Sequence, residues 1–174
     1  MKRPIAVISS IVLVAALGLG LLLANSSPLT SASNSKSALL GKFAPTFSGT
    51  TLSGTNWSLT TQPKKVTVLN FWASWCGPCI AEAPELSTFA WEHRQSVNVV
   101  GVVFNDLLST AKAFEAKYGS LYPSIIDSNG VIANSYGVTS PPTTFVIDAR
   151  GRVAASLVGP ISAKQLSSVI ANIK

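Results

Sequence analysis

The spacing of hydrophobic and polar positions changes along the chain, and the changes predict a mixed α/β domain. KKVTVLNFWA, from Lys64, and VNVVGVVF, from Val97, are largely apolar and rich in β-branched residues. Such runs are typical of strands covered on both faces. Between them, IAEAPELSTFAWEHRQS carries apolar residues at helical spacing. The alternation of strand and helix predicts a mixed sheet sandwiched between helices.

Shorter patterns extend this arrangement on both sides of the two central strands. Alternating apolar and polar residues around Ser53–Gly54 predict a hairpin. After the second central strand we expect a helix opened by Ser109 and closed by Gly119. PSIIDSNG then predicts a third strand and a turn, followed by a brief helix that ends at Tyr136–Gly137. Two strands joined by a tight turn at Ala149–Gly151 and an amphipathic helix complete the chain.

Charged residues make up only 11% of the chain, and one segment accounts for part of this low value. The run from Ile5 to Ala24 is uncharged and follows Lys2 and Arg3. As a helix it would be about 30 Å long, which matches the hydrocarbon core of a bilayer. Its length favours an uncleaved membrane anchor; a cleaved signal is the alternative. Both interpretations place the rest of the chain outside the cytoplasm.

The serine-rich stretch NSSPLTSASNSKS separates this segment from the domain. We therefore expect a targeting segment at residues 1–25, a flexible tether at residues 26–37 and one folded domain at residues 38–174. The net charge is +6, but the only pair of adjacent cations beyond the targeting segment is Lys64–Lys65. Because nucleic-acid binding needs clustered cations, the charge pattern indicates no nucleic-acid partner.

The chain has two cysteines, and both lie in the run NFWASWCGPCIAEAP as Cys76 and Cys79. Structural zinc needs four ligands, and the only histidine is His93, so the sequence does not favour a metal site. A structural disulfide across so short a loop would constrain little chain entropy. The third interpretation, a redox-active dithiol, is favoured because a predicted strand ends and a predicted helix begins at the pair.

A thiol at the N-terminus of a helix is stabilised as a thiolate by unpaired backbone N–H groups and by the helix dipole. Pro78 suits the first turn of a helix, where its missing N–H costs nothing. Lowering a thiol pKa from about 8.5 to about 7 raises the thiolate fraction at neutral pH from about 3% to about 50%. We expect Cys76 to attack a disulfide and Cys79 to displace the captured sulfur.

The residues around the pair resemble the thioredoxin superfamily. FWASWCGPC is similar to the thioredoxin active-site run. APTFSGTTLSG, EAPEL and YGVTSPPTTFVIDARG resemble the TlpA/ResA/CcmG group of membrane-tethered thiol–disulfide oxidoreductases. The resemblance covers residues 39–174 and implies a thioredoxin-like α/β fold. In that fold a mixed central sheet is flanked by helices, with an N-terminal hairpin and a central βα insertion at residues 97–118.

The same resemblance implies a function. The protein would reduce disulfides in exported proteins, such as apocytochrome c before haem attachment, as a monomer without cofactor or metal. Electrons would come from a membrane thiol transporter of the DsbD/CcdA type. A disulfide-forming oxidase of the same fold and a non-enzymatic copper or haem chaperone remain alternatives. The Cys-Gly-Pro-Cys sequence favours the reductase, and a chain whose only methionine is the initiator disfavours the chaperone.

Further site residues follow from the resemblance. Pro142 matches the cis-proline that lies against the cysteine pair and helps dock substrate backbone; a plain turn proline is the alternative. Pro141 precedes it and has no N–H, so one docking hydrogen bond to a substrate strand would be missing. Trp75, Gly77 and Pro78 would contribute to the substrate-binding surface.

Glu82 matches a glutamate near the active site of the TlpA/ResA group, three residues after Cys79 on the same predicted helix face. Asn70 stands where thioredoxin carries a buried aspartate. Since asparagine cannot accept the proton that Cys79 must lose, Glu82 is the candidate proton acceptor; an ordinary solvated glutamate is the alternative. We expect Pro84 to kink the helix and His93 to have no catalytic role.

Overall fold

Strands and helices alternate in the order that the hydrophobic pattern predicts. The computed structural model describes residues 32–173. The strands are β1 (Ser33–Asn34), β2 (Ser48–Thr50), β3 (Asn56–Ser58), β4 (Val66–Trp72), β5 (Val97–Phe104), β6 (Ser124–Asp127), β7 (Thr143–Ile147) and β8 (Val153–Val158). The α-helices are α1 (Gly77–Glu92), α2 (Leu108–Tyr118), α3 (Val131–Tyr136) and α4 (Ala163–Ala171).

Six of the strands form one mixed sheet in the order β1-β8-β7-β4-β5-β6. Strands β4, β5 and β6 are parallel, whereas β7 is antiparallel to both β4 and β8. Most residues of β4 and β5 are buried, which is why their sequences are almost unbroken apolar runs. The pair β2–β3 is the predicted hairpin, and β5 with α2 forms the predicted βα insertion. The thioredoxin-like fold class is therefore confirmed.

Successive residues of β4 enter two hydrophobic layers because side chains alternate between the faces of a strand. On one face, Phe71 packs against the rings of Tyr136 and Phe145, with centroids 5.7 and 6.0 Å away. On the other face, Val68 and Leu86 share a buried cluster. The helix that follows the cysteines is thus held against the sheet by its own apolar side.

The strand register brings two separate parts of the predicted site to one end of the sheet. In the antiparallel pair of β4 and β7, Phe71 lies opposite Thr143. The loop with Cys76 follows β4, and Pro142 immediately precedes β7. Both segments therefore emerge at the carboxyl end of β4.

The end of the predicted tether, residues 26–37, differs from expectation because part of it packs on the sheet. Ser33 and Asn34 pair with Val158 and Leu157 as an edge strand. The backbone N–H of Ala32 donates to the Pro160 carbonyl at 2.9 Å. Polar residues are accepted there because the edge of β8 offers backbone groups, which pair irrespective of side-chain type.

The predicted targeting segment at residues 1–25 lies outside the described residues. Within residues 32–173, no helix combines the length and the apolar character needed to cross a bilayer.

The sequence predicted that Ser109 caps helix α2. This prediction is wrong, because the helix begins at Leu108 and already includes Ser109. The N-cap residue is Leu107, with no capping bond from its side chain, and the preceding Asp106 binds the start of the helix. Its Oδ1 accepts hydrogen bonds from the Leu107 backbone N–H at 2.8 Å and from the Thr110 hydroxyl at 2.6 Å. A carboxylate at a helix N-terminus also interacts favourably with the helix dipole. The predicted end of the helix at Gly119 is confirmed.

Candidate active site

The two cysteines lie where β4 passes through a short loop into α1, and they form a disulfide with their Cα atoms 5.3 Å apart. Cys76 is the N-cap residue of α1, and Pro78 lies in the first turn. The backbone N–H of Cys79 donates to the Cys76 Sγ at 3.2 Å. The Cys76 sulfur therefore occupies the position in which a thiolate gains from helix N–H groups and the positive end of the dipole.

Both cysteines are largely covered, with 4% of Cys76 and 2% of Cys79 exposed. They belong to a buried cluster that includes Ala83 of α1 and apolar residues of β4, β5 and α2. The residues between them, Gly77 and Pro78, are exposed. The solvent-exposed surface beside the pair is therefore formed by this turn.

Trp75 stands beside the pair with 57% of its surface exposed. Its indole Nε1 donates to the Asn105 carbonyl at 3.1 Å, and its ring lies 6.3 Å from that of Phe104. The exposed ring is thus oriented by the loop that follows β5. It offers an apolar surface next to the disulfide.

Asp106, which the sequence interpretation did not single out, ties that loop to the catalytic loop. Its Oδ2 accepts from the Ser74 backbone N–H at 2.6 Å. Partial burial opposes ionisation, but hydrogen bonds from Thr110, Ser74 and Leu107 prevail and lower the pKa of Asp106. The available signal was an acidic residue directly before a predicted helix. One carboxylate therefore binds both the start of α2 and the segment that leads to Cys76.

The two prolines lie at the start of β7, and the peptide bond between Pro141 and Pro142 is cis. Pro142 is buried and Pro141 is half-buried. The Pro142 carbonyl accepts from the Gly159 backbone N–H at 3.0 Å. The Thr143 hydroxyl donates to the Ser140 carbonyl at 2.8 Å. These bonds fix the turn on both sides of Pro142, beside the carboxyl end of β4.

Glu82 is buried rather than solvated, with 2% of its surface exposed. Its Oε2 accepts from the Asn70 Nδ2 at 3.0 Å, and its Oε1 accepts from the Ile161 backbone N–H at 3.1 Å. Asn70 also donates to the Thr144 hydroxyl at 3.0 Å. The solvated alternative for Glu82 is therefore wrong, because α1 turns this residue toward the sheet. The amide that replaces thioredoxin's aspartate binds the carboxyl directly.

Burial raises the pKa of Glu82 from 4.5 to about 7, although hydrogen bonds from Ile161 and Asn70 favour the carboxylate. Near neutral pH the group is therefore divided between its protonated and ionised forms. Such a carboxyl can both accept and release a proton under working conditions. It lies one helical turn after Cys79.

His93 is not brought to the cysteines. It is the C-cap of α1, at the opposite end of the helix, and its ring stacks on Phe89 with centroids 4.4 Å apart. Pro84 is an exposed residue inside α1, and the helix continues past it to Glu92.

Known proteins that this chain resembles share the fold and the chemistry. The profile of the Redoxin family matches residues 39–172. The thioredoxin-like protein YneN of Bacillus subtilis (strain 168) is 37% identical over 129 residues, which cover 72% of this chain and 75% of YneN. The thiol-disulfide oxidoreductase ResA of Geobacillus thermodenitrificans is 31% identical over 136 residues, which cover 78% of each chain.

A solved structure shows the same similarity in three dimensions. The crystal structure of a thiol:disulfide interchange protein DsbE from Chlorobium tepidum superposes with a TM-score of 0.69 at 30% identity. The superposition covers 80% of this chain and 97% of that one. With its cysteine pair at the N-terminus of α1, the chain belongs to the Redoxin family and is a thiol–disulfide oxidoreductase of the ResA/DsbE type.

Proposed function

We propose that the protein reduces disulfides in exported proteins outside the cytoplasm, with Cys76 as the nucleophile and Cys79 as the resolving cysteine. One arrangement of residues on α1 carries the proposal. Cys76 is the N-cap residue of this helix, and the buried carboxyl of Glu82 lies one turn after Cys79. The first feature supports a thiolate at Cys76, and the second supplies a group able to take a proton from Cys79.

The reaction starts from the reduced pair. The Cys76 thiolate attacks one sulfur of the substrate disulfide, and the other substrate sulfur leaves as a thiolate. Cys79 then transfers its proton to the Glu82 carboxylate and attacks the Cys76 sulfur. The second substrate sulfur leaves, and two electrons have passed from the enzyme dithiol to the substrate. The enzyme ends as the Cys76–Cys79 disulfide seen in the structure.

A dithiol donor must then return two electrons to the pair. We place a membrane thiol transporter of the DsbD/CcdA type in this role, with residues 1–25 holding the protein at the membrane unless they are cleaved. The uncharged segment behind Lys2 and Arg3 supports this location. Apocytochrome c is the substrate that we propose first, since it must be reduced before haem attachment.

The direction of electron flow is tested by equilibrating the purified protein with glutathione buffers. Thioredoxin has a reduction potential of about −270 mV, whereas the oxidant DsbA lies at about −120 mV. We expect a value near that of thioredoxin, as the Cys-Gly-Pro-Cys sequence indicates. A potential near that of DsbA would support the oxidase instead.

The substrates are tested by trapping. A Cys79→Ser variant cannot release a sulfur captured on Cys76, so mixed disulfides should accumulate in membranes. Identification of the captured proteins gives the substrates directly. We expect exported proteins with cysteine pairs, and few or no adducts in a matched Cys76→Ser variant that keeps Cys79. Adducts on Cys79 in that variant as abundant as those on Cys76 would contradict the assignment of the nucleophile.

A further inference from the structure

A small cavity of about 10 Å³ lies beside Glu82, between α1, α2 and the chain that follows α2. Glu82 and Asn70 line it on one side, and Glu115, Ser120 and Tyr122 line it on the other. This volume matches one water molecule, which needs about two to four polar partners to be stable in a protein interior. The walls provide those partners.

Asn70 gives an independent reason to place a water there. Its Nδ2 donates to both Glu82 and Thr144, but its buried Oδ1 accepts no hydrogen bond from any described residue. A buried acceptor left unpaired destabilises the folded state. A water in the cavity that donates to this oxygen removes the cost.

On the opposite wall, Glu115 is half-buried on α2. Its Oε1 accepts from the Ser124 hydroxyl at 2.7 Å. Burial raises the pKa of Glu115, although hydrogen bonds from Ser124 and Ser120 oppose that change. Glu115 therefore touches the cavity on one side and solvent on the other, and its carboxyl holds a proton more readily than an exposed glutamate.

Tyr122 completes the polar lining. Burial raises the pKa of its hydroxyl, and the negative charges of Glu82 and Glu115 raise it further. Tyr122 lines the same cavity as both carboxyls. Because the phenol keeps its proton at working pH, it can donate one hydrogen bond and accept another without changing charge. The titratable groups of the cavity are thus Glu82, Glu115 and Tyr122, with Cys79 one turn away on α1.

We propose that Glu115 and Tyr122, with one water in this cavity, form the path by which protons pass between Glu82 and solvent. Protonated Glu82 donates to the water, the water gives a proton to the Glu115 carboxylate, and Glu115 releases it to solvent. Tyr122 orients the water. Glu82 returns to its carboxylate form, and no electrons move. The use of this path during catalysis rests on the proposed function, in which Glu82 takes the proton of Cys79.

The path explains how so deeply buried a group could be reset between turnovers. Glu82 exposes only 2% of its surface, so solvent has little direct access to it. Glu115 and Tyr122 act through another group and do not touch the reacting sulfurs; they are positioning residues. Their effect should appear in the rate of proton exchange rather than in the folding of the domain.

The test follows protonation of Glu82 after a rapid pH jump, using the infrared carbonyl band of its buried carboxylic acid in the oxidised full chain. Glu82→Gln identifies the band by removing it. We expect Glu115→Gln to slow the relaxation about tenfold or more, because proton transfer through positioned groups is worth about 10²–10⁴-fold. Gln can still accept the hydrogen bond from Ser124, so the fold should be kept.

Tyr122→Phe keeps the ring in place and provides a second test with the same expected slowing. Glu92→Gln removes an exposed carboxylate elsewhere on α1 and should leave the rate unchanged. A relaxation as fast as that of the wild type in Glu115→Gln would overturn the path. Failure of this proton path can be distinguished from failure of the proposed function. The proposed function is tested by a different rate, that at which Cys79 resolves the mixed disulfide in Glu82→Gln.

Discussion

At the scale of single residues, the chemistry of the site depends on how burial changes the pKa of the Glu82 carboxyl. The carboxyl is removed from water and is given two hydrogen-bond donors, the Asn70 amide and the Ile161 backbone. Desolvation outweighs both bonds and brings the pKa to about 7. An asparagine at position 70 therefore serves this enzyme by holding the titrating group, rather than by titrating.

The first prediction concerns the two steps of disulfide exchange. In the wild type, resolution by Cys79 should speed up as the pH rises through about 7, because only the Glu82 carboxylate accepts a proton. Glu82→Gln should slow resolution by about 10²-fold or more and leave attack by Cys76 within about twofold. Stopped-flow kinetics with a labelled disulfide peptide separates the steps. Equal resolution rates in mutant and wild type would refute the role of Glu82.

The second prediction concerns stability. The native pKa of Glu82 exceeds the ordinary value of 4.5, so the native state binds more protons than the unfolded state between pH 4.5 and about 7. The free energy of unfolding should therefore fall by about 3 kcal/mol across this range, at about 1.36 kcal/mol for each pH unit between the two pKa values. Urea unfolding should show this fall in the wild type relative to Glu82→Gln. Parallel pH profiles would contradict it.

At the scale of elements, the βα insertion supports the catalytic loop. Asp106 accepts from the backbone of Ser74 and from the first turn of α2, and the Asn105 carbonyl binds the Trp75 indole. These contacts join β5 and α2 to the segment between β4 and Cys76. The insertion therefore positions the exposed face of the site as well as adding a helix to the sheet.

The third prediction uses the two carboxylate oxygens of Asp106. Asp106→Ala should lower the free energy of unfolding by about 1–2 kcal/mol, because the hydrogen bonds that its carboxylate accepts from Ser74, Leu107 and Thr110 are lost. It should also weaken substrate binding, because the Ser74 segment loses its partner. Ser109→Ala is the control, since Ser109 is not the cap and should cost little. Denaturant titration and KM compare the two variants, and equal stabilities would exclude a stabilising role for the Asp106 carboxylate.

The fourth prediction concerns the start of β7. Pro141 has no N–H to offer a docked substrate strand, so Pro141→Val should restore one hydrogen bond. We expect a peptide held as a mixed disulfide on Cys76 of a Cys79→Ser variant to bind more tightly by about 0.5–1.5 kcal/mol. Peptide competition would measure the difference. Unchanged binding would mean that substrates do not dock through this position.

At the scale of the whole molecule, the fold joins parts that are distant in the sequence. Glu82 of α1 binds Asn70 of β4 and the chain just before α4, and the prolines before β7 lie at the carboxyl end of β4. The N-terminal strand β1 covers the edge of β8 at the same end of the sheet. Each junction depends on strand order and register.

The fifth prediction concerns that edge. Ala32 is buried, its N–H donates to the Pro160 carbonyl, and the Ser35 N–H donates to the Ser156 carbonyl at 2.8 Å. A chain that begins at residue 38 should therefore be less stable than one that begins at residue 32 by about 1–3 kcal/mol. Chemical denaturation of the two chains measures the loss. Equal stability would show that residues 32–37 behave as the tether that their composition suggested.

The elements and their order could be predicted from sequence because they follow from local patterns. Apolar runs, helical spacing and turn residues each predict an element from residues that lie within a few positions of each other in the sequence. The prediction of Ser109 as a cap was wrong because the helix begins at Leu108, one residue earlier, where hydrogen bonds to Asp106 hold its start. The edge strand at Ser33–Asn34 was missed because backbone pairing at an edge leaves no hydrophobic signal.

The amino-acid sequence by itself determined the cysteine pair, its place between strand and helix, and the family, since each of these is written in neighbouring residues. Only the tertiary structure decided that Glu82 is buried and bound by Asn70, that Asp106 holds the catalytic loop, and that Glu115 shares a cavity with Glu82. The physical reason is that desolvation and long-range hydrogen bonds depend on what other elements bring to a residue. A pKa is a property of that assembled environment.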